Sequence, residues 1–310
     1  MDPSARATIA ACTVVVILLA LPAAAPAQTP LWQGKGRIVV SSDGNEHDHD
    51  DWAATPLTLA LLAARGLQGN VPLYIYADHV WGSNHEHPGV DGVTPYEQMK
   101  ESALTGGRMF GFSDTRFIAS VDSPEIAYEA LKDEIDRSGP DNPLFIVADG
   151  PVHVIGEAIS RARRDRRRFV TVISVVNCWN DDHADKPYVA WERHSGWTMA
   201  EIRAQFSGDE GGGLRIVEIQ NQNPRLMRNW WEYEWLRSAP ERRDPYYADG
   251  SWLWLFNRLC MSIKPVSGAE NYYAIDASDA GKVAFLLTGV ENTSPQLCYE
   301  IMRAPARPRR

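Results

Sequence analysis

The chain has 310 residues, 44% hydrophobic, 10% aromatic and 23% charged, a profile that fits a folded globular protein and excludes global disorder. A formal net charge of -9 offers no positive field for phosphates, which argues against nucleic acid as a general partner. No Gly-rich phosphate loop, G-x-S-x-G elbow or cysteine–histidine nucleophile pattern stands out, so those chemistries are not expected.

From the amino terminus, Arg6 precedes an apolar run, Ala7 to Leu21, followed by Ala25-Pro26-Ala27. A charged start, a short apolar core and a small-residue cleavage site predict a secretory signal over residues 1–27. The expected product is a secreted or periplasmic protein without stable membrane association. Residues 28–303 are expected to form one domain, and 304–310 a disordered tail. Loss of the signal removes Cys12 and leaves Cys178, Cys260 and Cys298, too few and too widely spaced for a disulfide framework. One bridge beside one free thiol is allowed, with the pair undecided, and a homo-oligomer stays open.

Short apolar runs recur at Arg37 to Ser41, Leu73 to Tyr76, Pro143 to Ala148, Phe169 to Val176 and Leu214 to Ile219. Their nearly continuous apolar character predicts strands covered on both faces. Helical patterns lie between them. Trp52 to Arg65 is one, with Pro56 near its start and Gly66 as its stop. Another opens at Ser123-Pro124, and Thr198 with Glu201 has capping-box spacing ahead of Ile202 and Phe206. The basic run Arg161 to Arg168 reads as a solvated helix end. The alternation predicts an α/β fold, an open, mostly parallel sheet with helices on both faces.

Sheets of this kind bind ligands beyond the carboxyl ends of their strands. Polar clusters fall there: Asp43 to Asp51 after the first run, and His79, His85 and His87 after the second. Asp149-Gly150-Pro151 and then Asn177 to His183 follow the next two. Asp43, Asp48, Asp50 and Asp51 crowd four carboxylates into one short loop. Their repulsion is relieved by a hard divalent cation bound through oxygen, with calcium the best match. Asp50 and Asp51 also stand where a helix begins, favourably for its dipole.

A strand, Asp43, a turn bearing Gly44 and Asn45, and then Asp50-Asp51 at a helix start resemble the first motif of the nucleoside hydrolase superfamily. The longer turn is closer to its glycosidase-like relatives than to true nucleoside hydrolases. Phe145 to Pro151 is similar to the strand and Gly-Pro turn that supply a further calcium ligand. Asp276 to Gly281, leading an apolar helix, resembles the late aspartate motif. The resemblance implies a nucleoside hydrolase-like fold and a calcium ion held by Asp43, Asp51, Asp149 and Asp279. It further implies Asp43 as the base that activates water and Asp50 beside the sugar hydroxyls, for cleavage of an N- or O-glycosidic bond. Asn45, His79, His85, Asn177, Trp179, Asn180 and Asp181 are the corresponding candidates for contact with a carbohydrate or nucleoside substrate. The chain departs from the family by inserting Glu46, His47, Asp48 and His49 into the aspartate turn and by carrying His153-Val154 after the Gly-Pro turn.

Two other readings fit part of the pattern. His47, His49 and Asp51 match the start of an H-x-H-x-D zinc motif, although Trp52 stands where a histidine is expected. The tryptophans that crowd the second half of the chain, with the same aspartates, would equally suit a non-catalytic carbohydrate-binding protein.

Overall fold

The computed structural model describes residues 29–44, 50–77, 94–176, 196–238, 250–265 and 273–303. Six strands form one sheet: β1 (Arg37–Ser42), β2 (Leu73–Tyr76), β3 (Arg116–Ala119), β4 (Leu144–Asp149), β5 (Val170–Val175) and β6 (Arg215–Ile219). They lie in the order β3-β2-β1-β4-β5-β6, and every neighbouring pair is parallel. A small antiparallel pair, β7 (Lys264–Pro265) and β8 (Tyr273–Ala274), stands apart. The expected α/β architecture is therefore the observed one.

Period-two alternation divides the apolar residues of the strands between two cores. Ile38, Val40, Tyr74, Phe145 and Val147 join one, whereas Val39, Ile75, Leu144 and Ile146 join the other. Over the first face pack α1 (Asp50–Ala64), α2 (Pro95–Met109), α7 (Ser251–Met261), α8 (Ala280–Thr288) and α9 (Pro295–Arg303). The second is covered by α3 (Pro124–Asp136), α4 (His153–Arg161) and α6 (Met199–Phe206). The short α5 (Arg164–Arg167) links α4 to β5. The four central strands are covered on both faces, which is why they read as unbroken apolar runs.

Helix α1 is the centre of the first layer, and all of its residues are buried. It begins at Asp50, two residues earlier than the apolar pattern suggests, so Pro56 falls in its second turn. A proline there removes the amide that would satisfy the carbonyl of Trp52. The Ser102 hydroxyl on α2 donates to that carbonyl instead, at 2.7 Å. Arg258 on α7 in turn donates to Ser102 Oγ from Nε and Nη2, at 3.2 and 2.7 Å, and to the side chain and carbonyl of Gln98. Burial pulls the Arg258 guanidinium down to about 10, and no ion pair accompanies it among the described residues. One proline thus ties three helices together through a hydroxyl and a buried cation.

The capping box at Thr198 and Glu201 forms as expected. A second one, Thr94 with Glu97, opens α2. The basic run differs from a merely solvated helix end. Arg167 donates to the carbonyls of Ser160, Ala162 and Gly211 and stacks over Phe206, while Arg161 pairs with Glu125 and Glu157. The carbonyls left over at the end of α4 attract these guanidinium groups. Cys260 and Cys298 are free thiols, so they do not bridge one another. No helix among the described residues is long and apolar enough to cross a membrane. The signal segment and the tail lie outside the described residues.

Candidate metal centre

The strand order reverses direction at β1, with β2 and β3 to one side and β4 to β6 to the other. Such a reversal splays the loops leaving the two central strands and opens a crevice at their carboxyl ends. The loop after β1 leaves from that point, and so does the Asp149-Gly150 turn after β4. Backbone pairing continues past the strands: Asp43 N–H donates to the Asp149 carbonyl at 3.0 Å, and Ala77 N–H donates to the Asp43 carbonyl at 2.9 Å.

Three sequence candidates come together there. Asp43, Asp50 and Asp51 each place a carboxylate oxygen within 4.8 Å of the others, and all three are buried. At this range two carboxylates repel by about 3 kcal/mol for an effective dielectric near 20. The first turn of α1 returns only about 0.3–2 kcal/mol through its dipole. Repulsion of this size exceeds the dipole term, and it can be relieved by a bound cation or by a proton on one of the carboxyls. Asp51 is 1% exposed. Its Oδ1 accepts from the Ser42 hydroxyl at 2.6 Å, whereas its buried Oδ2 has no hydrogen-bond partner among the described residues. An orphaned carboxylate oxygen in a dry crevice is costly unless a ligand meets it. A set of oxygens alone, all ionisable, suits a hard cation.

The backbone around the cluster is tightly specified. Gly150 has a φ of +104°, and a Cβ placed there would lie 2.7 Å from Asp43 Cγ. Ala77, at the end of β2, has a φ of 55° although it is not glycine. A left-handed alanine costs about 1–2 kcal/mol, and strain of this kind gathers where a site dictates the backbone. Val121 N–H and the Ser120 hydroxyl hold it by donating to its carbonyl at 2.8 and 2.7 Å.

The other two carboxylates of the four-aspartate shell are engaged elsewhere. Lys282, on α8 and 2% exposed, places its ammonium 3.0 Å from Asp149 Oδ1 and against Asp279. Burial works against its charge, but Asp149 and Asp279 outweigh burial and raise the ammonium above its ordinary value. The group at Asp43, Asp50 and Asp51 does not extend to Asp149 or Asp279. The three aspartates offer oxygen ligands for one cation, whereas Asp149 and Asp279 of the four-aspartate shell have the Lys282 ammonium between them. The two parts adjoin, since Ser42 is paired in register with Asp149. Tyr74 completes the floor: its hydroxyl donates to Thr55 Oγ1 at 2.9 Å, and burial, aided by the charge of Asp149, keeps it protonated.

Asn45, His79, His85, Asn177, Trp179, Asn180 and Asp181 lie outside the described residues, as do His47 and His49 of the zinc pattern. Of the remaining tryptophans, Trp197 donates to Glu157 at 3.0 Å on the opposite face, and Trp230 and Trp231 are exposed in a 3-10 turn. A separate cavity of about 880 Å³, lined by Arg163, Arg164, Asp165, Arg168 and Asp209 among others, sits before β5 and β6, at the wrong end of the sheet for this site. Sequence reasoning missed Lys282, Ser42, Thr55 and Tyr74. The one local signal for Lys282 was a lysine within an apolar helix, three residues after Asp279.

No known family profile matches the sequence. The chain is similar to "Uncharacterized protein P22" of Formosa agariphila, with 26% identity over 272 residues, covering 86% of this chain and 89% of that protein.

Proposed function

We propose that this protein is a divalent-cation-dependent hydrolase of a glycosidic bond, with calcium as the leading candidate for the ion. The observation that carries the reading is the Asp43, Asp50 and Asp51 group together with the orphaned Asp51 Oδ2, in the crevice where the strand order reverses. The choice of a glycosidic bond adds the motif resemblance to that geometry.

Asp43, Asp50 and Asp51 would hold the ion. An ion bound there would supply Lewis-acid charge to the substrate. Asp43 would accept a proton from an attacking water as the water oxygen adds to the anomeric carbon. Asp50 accepts hydrogen bonds from sugar hydroxyls. Positive charge building on the sugar ring meets the surplus negative charge of the crevice, which stabilises an oxocarbenium-like transition state. The leaving group takes a proton from a general acid, for which His79, His85 and His87 are the candidates read from the sequence.

Calorimetric titration of the purified, chelator-treated protein with calcium and with zinc tests the reading. Calcium binding by the wild type, lost in Asp51→Asn and Asp43→Asn, is expected, together with calcium-dependent turnover in a screen of aryl glycosides and nucleosides. Binding of a sugar with no turnover of any glycoside would make the protein a carbohydrate-binding one. Zinc binding that survives Asp43→Asn but is lost in His47→Ala would replace the reading with the zinc one.

A further inference from the structure

Lys282 is placed against three physical preferences. Its ammonium is almost wholly buried, where an unpaired charge is strongly disfavoured. It sits in the first turn of α8, at the positive end of the helix dipole, where a cation is repelled. It also lies beside a site that calls for a small hard ion. Two carboxylates from separate elements converge on it, Asp149 at the end of β4 and Asp279 at the start of its own helix. Gly281 keeps this helix start close to the rest of the fold, since a Cβ there would come within 2.6 Å of Gln222. With both carboxylates ionised, the triad carries one negative charge in excess.

We propose that Lys282 is a built-in cation that occupies the second half of an acidic crevice and limits it to a single exchangeable divalent ion. The inference rests on the reading of Asp43, Asp50 and Asp51 as the ion's ligands. A covalently attached ammonium cannot leave with product, be chelated or be exchanged for another metal. Its ammonium holds the Asp149 side chain and thereby fixes the turn that shapes Asp43, because the Asp149 carbonyl accepts from Asp43 N–H and Gly150 packs on the Asp43 carboxylate. Lys282 is thus a positioning residue, and its neutral replacement would expose a second pair of carboxylates suited to another ion.

The test compares wild type with Lys282→Met by calorimetric calcium titration and by thermal unfolding in chelator and in millimolar calcium. The expected result is one calcium per wild-type chain and two per Lys282→Met chain, with a larger calcium-induced rise in Tm for the variant. Asp149→Asn/Lys282→Met, in which the freed pair is broken, should return to one calcium. If Lys282→Met does not fold without calcium, folding restored by calcium supports the proposal. If calcium does not restore it, Lys282→Gln, which keeps polar contacts without charge, carries the same titration. One calcium in both wild type and variant overturns the role of Lys282 while the three-aspartate site stands. No calcium in wild type but calcium in Lys282→Met supports the built-in cation and removes the proposed function. No binding by either overturns both.

Discussion

Two cations are buried in the same helical layer of this protein, and they are satisfied by opposite means. Arg258 is surrounded by neutral acceptors, the Ser102 hydroxyl and the side chain and carbonyl of Gln98. Lys282 is surrounded by charge, with Asp149 and Asp279 both on its ammonium. The guanidinium can be dissolved in dipoles because its charge is spread over a planar fork with five donors, each able to find an oxygen or a sulfur. The compact ammonium concentrates its charge and needs anions. The first arrangement is a joint between helices. The second lies at the end of β4, next to the strand that leads into the three-aspartate group.

Substitutions can break this contrast. The largest effect is expected at Lys282, where methionine leaves two carboxylates in a dry site without their cation. In chelator the cost should be about 3–5 kcal/mol, the range for breaking a buried ion pair from one side, as measured by urea unfolding. Calcium should recover much of it, whereas no ion should rescue an equivalent change at Arg258. Arg258→Leu is expected to cost about 2–4 kcal/mol, because Ser102 and Gln98 lose their donors in the interior, with calcium binding to the protein unchanged. A loss of calcium binding in Arg258→Leu would show that the joint and the site are one unit.

A finer test addresses why the joint exists. Ser102→Ala should cost about 1–3 kcal/mol, since it strands both the Trp52 carbonyl and part of the Arg258 fork. In a Pro56→Ala background the restored helix amide can satisfy Trp52, so the penalty of Ser102→Ala should shrink. Additive penalties in that double-mutant cycle would separate Ser102 from the proline. The smallest expected effect has the opposite sign. Ala77→Gly should stabilise the protein by up to about 1 kcal/mol, since glycine accepts a positive φ without strain. Equilibrium unfolding would detect a destabilised Ala77→Gly variant, which would mean that the methyl packing of this buried residue outweighs its backbone strain.

How much of this was legible in the sequence follows from how local each signal is. Four central strands of the main sheet could be read because burial on both faces leaves nearly unbroken apolar runs, and the edge strand β6 because its β-branched residues are still apolar. Strand β3 escaped because it is a four-residue edge strand whose first residue, Arg116, is exposed. Helix α2 escaped although Thr94, Pro95 and Glu97 spell out its start. Asp43, Asp50 and Asp51 could be grouped because a single loop carries them. The partnership of Asp149 with Lys282 could not, because it joins a strand to a helix far along the chain. In the same way, a proline in α1 gives no hint that a serine on α2 and an arginine on α7 will answer it.

The strand order also sets a schedule for synthesis. Strand β1 takes its place in the sheet between β2 and β4, yet β4 emerges from the ribosome about a hundred residues later. At a few to about twenty residues per second, several seconds or more pass before β4 is made. During that time β1 can pair on one side only, and an apolar strand with a bare edge invites pairing with another chain. Parallel pairing across such a separation is slow even once the partner is available. The pairing that brings Asp149 beside Asp43 is therefore also the step that closes the second edge of β1.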